Sequence, residues 1–137
     1  MDYPRIPDVR NAGRMFWEQA AEGRLVLPHC VPCNRAFWYP RWHCPHCGSA
    51  EVEWRTASGH GSVHTFTVVR RSEHPDFRGR VPYVVAMIDL DERVRIMSNV
   101  IGCAPEAVTI GMRVRCIVEH IDDQLGVPLF EPTREVT

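Results

Sequence analysis

The chain has 137 residues, 45% hydrophobic and 24% charged, with a formal net charge of −1 at pH 7. That length fits one domain or two very small ones, and near-neutrality removes any strong pull toward nucleic acid or an anionic membrane surface. There is no apolar run of the ~18 residues that a membrane-spanning helix needs, and the start MDYPRIPDVR has no secretory apolar core, so a cytoplasmic setting with reduced thiols is expected.

Residues 1–10 carry Pro4 and Pro7 without periodicity and read as an extended arm. From Asn11 the pattern turns helical: Ala12, Met15, Phe16, Gln19 and Ala20 share one face, Asp8 or Asn11 can cap the start, and Gly23 can end it. Phe16 and Trp17 are neighbours and cannot share one narrow stripe. If one enters the core, the other packs on the rest of the chain or meets a partner.

Residues 24–28 (RLVLP) read as a short strand leading into Cys30-Val-Pro-Cys33. Ten residues later comes Cys44-Pro-His-Cys47. Two such knuckles bring four thiolates to one ion, and tetrahedral sulfur suits Zn²⁺, with iron the lesser alternative. Four thiolates close the coordination shell, so one structural zinc per chain is expected. A ribbon this small has almost no core, and metal binding supplies its folding energy. His29, His43 and His46 flank ligand cysteines as conceivable substitutes, though four thiols make them unnecessary. Gly48, and Asn34 after the first knuckle, suit a positive φ. Between the knuckles, Phe37, Trp38, Tyr39 and Trp42 either shield the sulfurs from water or form an aromatic contact surface.

After Ser49 the period changes to two. Strands are expected at 52–56, 62–69, 81–90, 94–101, 112–119 and 127–131, with turns at Gly59–Gly61 and Asp91–Glu92. Pro128 marks the last strand as an edge, and the tail from Pro132 is expected to fray. Five or six short strands of this spacing suit a five-stranded barrel of the OB type. The fold class is therefore mainly β, divided as a helical arm (1–24), a zinc ribbon (25–50) and a barrel (51–137).

The loop at 70–80 gathers Arg70, Arg71, Phe77, Arg78 and Arg80. Long loops in compact domains tend to carry function. Arg can hold phosphates and Phe can stack a base, which suits coenzyme A or a single nucleic acid strand. The alternative is a solvated loop with ion pairs to Glu73 and Asp76. The chain contains no lysine, so every basic side chain is Arg; a GC-rich genome accounts for that, or a need for bidentate contacts. Cys103 and Cys116 stand outside any metal motif, and neither has the nearby His that a nucleophilic thiol requires. No catalytic residue emerges.

The order of these parts resembles the DUF35 family. The resemblance is carried by Phe16-Trp17-Glu18 through Gly23-Arg24-Leu25, the two cysteine knuckles ending Cys47-Gly48, Gly61-Ser-Val-His-Thr-Phe66-Thr, Val81-Pro82-Tyr83-Val-Val-Ala, and Leu90-Asp91-Glu92. It covers nearly the whole chain, with Asn34 departing from the Gly that many relatives carry. It implies a rubredoxin-like zinc ribbon followed by an OB-fold, with Cys30, Cys33, Cys44 and Cys47 as ligands. It also implies a non-catalytic subunit of a hetero-oligomer with a thiolase-like or lipid-transfer-protein-like enzyme, sharing an acyl-CoA with it. A partner interface at Phe16, Trp17, Phe37, Trp38, Tyr39 and Trp42 and a CoA contact at the Arg loop would complete that reading. A single-stranded nucleic-acid module is the rival, disfavoured by charge; an independent small enzyme lacks a visible active site.

Overall fold

The computed structural model describes residues 12–133. The expected arm at 1–10 and the caps at Asp8 and Asn11 lie outside the described residues. The helix α1 runs Arg14–Ala21 and buries Phe16 and Ala20. Its N-cap is Gly13, without a side-chain cap, and an Arg14–Glu18 ion pair one turn apart supports its outer face. Gly23 follows its C-cap with φ +84°, and the Gly23 N–H donates to the Ala20 carbonyl at 2.9 Å. That left-handed residue turns the chain sharply toward the first strand.

The strands β1 (Val26–Cys30), β2 (Arg35–Ala36) and β3 (Val52–Thr56) form an antiparallel sheet in the order β2-β1-β3. The strand at 52–56, counted toward the barrel from its alternation, thus pairs with β1 instead, from Val26↔Thr56 to Cys30↔Val52. Alternation reveals a half-buried strand but not its neighbour.

The strands β4 (His60–Val69), β5 (Tyr83–Leu90), β6 (Arg95–Val100), β7 (Arg113–His120) and β8 (Gly126–Pro132) close a barrel in the order β4-β5-β6-β8-β7. In β5, Val84, Ala86, Ile88 and Leu90 point inward and alternate with half-buried residues. They meet Val63, Ile96, Val114 and Phe130 in one core that also takes Phe16, Leu25 and Leu27 from outside the barrel. Each such side chain contributes roughly 1.5–3 kcal/mol when fully buried.

β8 is not an edge. It pairs with β7 along its whole length and is buried from Gly126 to Phe130, so the sequence expectation drawn from Pro128 is corrected. The proline is accommodated because the ladder from β8 to β6 consists of one pair, Val100↔Phe130. Pro128 falls beyond that pair, where no ladder hydrogen bond to β6 is required of its nitrogen. Pro132, expected in the frayed tail, ends β8, and the Thr133 N–H still donates to the Arg113 carbonyl at 3.0 Å. Helix α1 lies directly on β8 at Gly126. A Cβ there would come within 2.7 Å of Val118 Cγ1 and 2.9 Å of the Ala21 nitrogen.

Candidate metal centre and adjoining surface

The β1–β2 hairpin fixes the first knuckle. The Asn34 N–H closes its turn on the Val31 carbonyl, and Asn34 takes φ 52° as its residue type allows. The second knuckle folds back through the Gly48 N–H on the Cys44 carbonyl, with Gly48 at φ +79°. Cys30, Cys33, Cys44 and Cys47 converge so that their sulfurs all lie within 4.8 Å of one another. Across the knuckles the separations are 3.6 Å for Cys30–Cys47 and 4.0 Å for Cys33–Cys44. A tetrahedron with zinc–sulfur bonds of about 2.3 Å has edges of about 3.8 Å, which these two values bracket. The donor set therefore fits a structural Zn²⁺, which would cross-link two otherwise coreless loops. His29 instead contacts Asn34 Oδ1, and neither His43 nor His46 joins the cluster.

The electrostatics agree. The Cys33 thiol is pushed up to about 12, chiefly by hydrogen bonds with the Cys47 and Cys30 thiols crowded against it. Burial pushes Cys44 up as well. Backbone N–H groups of Cys47 and His46 outweigh it and bring that thiol to about 6. Four thiols crowded this closely oppose one another's ionisation, and a divalent cation would stabilise every thiolate at once.

The aromatic stretch is divided. Phe37, 2% exposed, packs on Cys30 and Cys44 as sequence reasoning proposed for the whole stretch. Trp38 turns the other way and meets Phe16 at a tilt, 4.7 Å between ring centres, and Trp17 meets Phe16 edge-on at 4.9 Å. This row locks ribbon to helix. Phe16 is 5% exposed, so Phe16 and Phe37 keep little ring surface open to water, although Phe16 still lines the cleft described next. Trp17 and Trp38 are half-buried, while Tyr39 and Trp42 remain 57% and 72% exposed.

Those four line an apolar cleft of about 810 Å³ between α1, the ribbon and the barrel strands β6 and β8. Sequence reasoning found its aromatic wall but missed its floor, because Met97, Pro128 and Leu129 lie far along the chain. A second cleft, about 600 Å³, adjoins it across Met97, Ser98, Asn99 and Leu129. Phe77 and Arg80 of the Arg loop line this second cleft beside Tyr83, whose ring lies 6.0 Å from that of Phe77. Arg80 is engaged, both carboxylate oxygens of Glu119 accepting from its Nη2 at 3.1 and 3.3 Å. Arg78 donates to the Glu73 carbonyl, Arg70 lies 3.7 Å from Glu106, and Arg71 is exposed. The loop's residues are thus only partly brought together. Cys103 also lines the second cleft, and burial raises its thiol.

Two family profiles match the chain: the ChsH2 rubredoxin-like zinc ribbon domain over residues 17–53 and the ChsH2 C-terminal OB-fold domain over residues 54–119. A DUF35 domain-containing scaffold protein of Methanocaldococcus jannaschii is 36% identical over 100 residues, covering 72% of this chain and 70% of its own length. The chain belongs to the DUF35 family. The expected zinc ribbon and OB barrel are the family's own architecture. A probable enoyl-CoA hydratase alpha subunit of Thermomonospora curvata is 37% identical over 123 residues, which cover 89% of this chain. This chain spans only 38% of that longer protein. The solved Ltp2-ChsH2(DUF35) aldolase contains a chain that superposes with a TM-score of 0.83 at 35% identity, covering 93% of this chain and 98% of that one. Among the described residues no helix is long and apolar enough to cross a membrane.

Proposed function

We propose that this DUF35 chain is a non-catalytic accessory subunit of a thiolase-superfamily enzyme (a thiolase, an acyltransferase or a retro-aldolase) that acts on acyl-CoA thioesters in the cytoplasm. The observation that carries this reading is its nearly full-length match to the ChsH2(DUF35) chain of a solved aldolase. The relative named as an enoyl-CoA hydratase subunit supports the acyl-CoA chemistry. The zinc cluster and the Phe16–Trp38 contact hold ribbon and helix in fixed relation to the barrel, which is what a docking scaffold requires. Chemistry belongs to the partner: burial raises the Cys103 thiol and takes Cys116 to about 11, opposite to the activation a nucleophile needs.

Within this reading the second cleft contributes to the CoA site. Phe77 and Tyr83 offer a shelf for the adenine, and Arg70, Arg71 and Arg78, exposed on the same loop though outside the cleft's lining, supply the phosphate contacts. Arg80, held by Glu119, orients the loop instead of binding phosphate.

Co-expression with a thiolase-like or lipid-transfer-protein-like protein from the same genome, followed by light scattering on the eluted species, tests the assembly. A stable monomer that joins no such protein would overturn it. For the loop, the double substitution R70A/R71A is expected to weaken CoA-thioester binding by the assembled complex about tenfold or more. Unchanged binding removes the loop from the CoA site while leaving the accessory role intact.

A further inference from the structure

The larger cleft presents an unusual amount of apolar side chain to water. Trp42, Tyr39 and Met97 (the last 61% exposed) stand around it, over a floor that includes Pro128 and Leu129. Such a concentration marks an interaction surface. Among the described residues the only charged one in its lining is Arg41, and from Arg24 to Ala50 the sequence has three Arg and no Asp or Glu. The occupant therefore combines an apolar ridge with a carboxylate.

Its backbone is constrained as well. Ser98 Oγ donates to the Pro128 carbonyl at 2.9 Å, drawing β6 and β8 together and leaving no gap for an added strand. Pro128 has no N–H to offer. An extended peptide laid here would lose water from its amides without gaining ladder partners. A helix carries its backbone hydrogen bonds internally and presents only side chains. We propose that this cleft receives an α-helix of the partner subunit, with apolar residues at i, i+3 or i+4 and i+7 and an Asp or Glu beside Arg41. This rests on the accessory-subunit reading above and names the surface that serves it. A helix seated here also brings the partner to the mouth of the second cleft, since the two share Met97, Ser98, Asn99 and Leu129.

The test titrates the full zinc-loaded chain with the Ltp2 subunit of the solved aldolase. Trp42→Ala and Met97→Asp are expected to weaken binding about 30-fold or more, and Arg41→Glu about tenfold, whereas Ile110→Asp, at an exposed site outside both clefts, changes it less than about threefold. Zinc content and thermal midpoint confirm that each variant is folded. In addition, Trp42→p-benzoylphenylalanine should photo-crosslink to a helix of Ltp2, and the same substitution at Ile110 should not. Tight wild-type binding that survives both Trp42→Ala and Met97→Asp refutes the cleft while the accessory reading stands. No binding by the wild-type chain refutes both. A dimer of the chain alone that Met97→Asp dissociates makes the occupant a second copy and overturns the proposal.

Discussion

The contact of α1 with β8 can be tested by a single methyl group. In Gly126→Ala the new Cβ would sit 2.7 Å from Val118 Cγ1, 2.9 Å from the Ala21 nitrogen and 3.0 Å from the Ala20 carbonyl carbon. Ordinary contact begins at 3.4 Å. The Val118 methyl can rotate away, but the two helix atoms are backbone and move only with α1. The helix must therefore retreat by about half an ångström, and overpacking of this kind costs about 1–3 kcal/mol. For a domain of this size that is a fall of roughly 3–10 °C in the thermal midpoint. Gly79→Ala is the control, because a Cβ there meets nothing within 4 Å and the expected change is within about 0.5 kcal/mol. Guanidinium unfolding at fixed zinc concentration gives the stability. Trp17 and Trp38 fluorescence reports on the retreat, since both rings contact Phe16 of the same helix. If Gly126→Ala matches Gly79→Ala in stability and leaves the fluorescence unchanged, the close packing of α1 on the barrel is wrong.

Three further outcomes are expected. Metal analysis should find one zinc per chain; Cys44→Ser or a strong chelator should melt the ribbon and release Phe37, while the far-UV signature of the barrel persists. Asp89 and Asp91 are held below the usual carboxylate range, chiefly by hydrogen bonds from Arg95 and Arg113. Their stabilisation is complete above the unfolded carboxylate pKa of about 3.9 and is lost as pH falls toward their lower folded values. The denaturant midpoint should thus drop on acidification in that window, by a small amount because both pairs are half exposed, and Arg95→Ala with Arg113→Ala should flatten the drop. Finally, burial takes the Cys116 thiol to about 11, so at pH 8 it should react with iodoacetamide about a hundredfold more slowly than an ordinary thiol, and equally fast only after unfolding.

What could be read from the sequence was local, and what could not was long-range. The metal ligands were legible because Cys30–Cys33 and Cys44–Cys47 encode their own geometry in short spacings, as Asn34 and Gly48 encode their turns. The barrel strands were legible within two residues at most of their ends, since β-branched alternation marks a sheet face. Closure was not, because the neighbour of a strand is set elsewhere in the chain: β3 pairs with β1, and Pro128 rests in a barrel strand where the β6 ladder has already ended. The ion pair of Arg80 was hidden for the same reason, as Glu119, which holds it, lies 39 residues away. The roles of Phe16 and Phe37 stayed open between core and contact surface because dense aromatics look alike in sequence. Only packing separates the buried pair from exposed Tyr39 and Trp42.

Cys30 stands directly opposite Val52, so the twenty-one residues between them leave and re-enter the structure at one place. The metal lobe is thus topologically a graft: its stem is the β1–β3 ladder, and Trp38 carries it to Phe16 of α1. Lineages sharing this barrel could lengthen, retune or exchange the lobe without rethreading a barrel strand. The aromatic wall of the partner cleft can then evolve apart from the barrel strands that supply its floor.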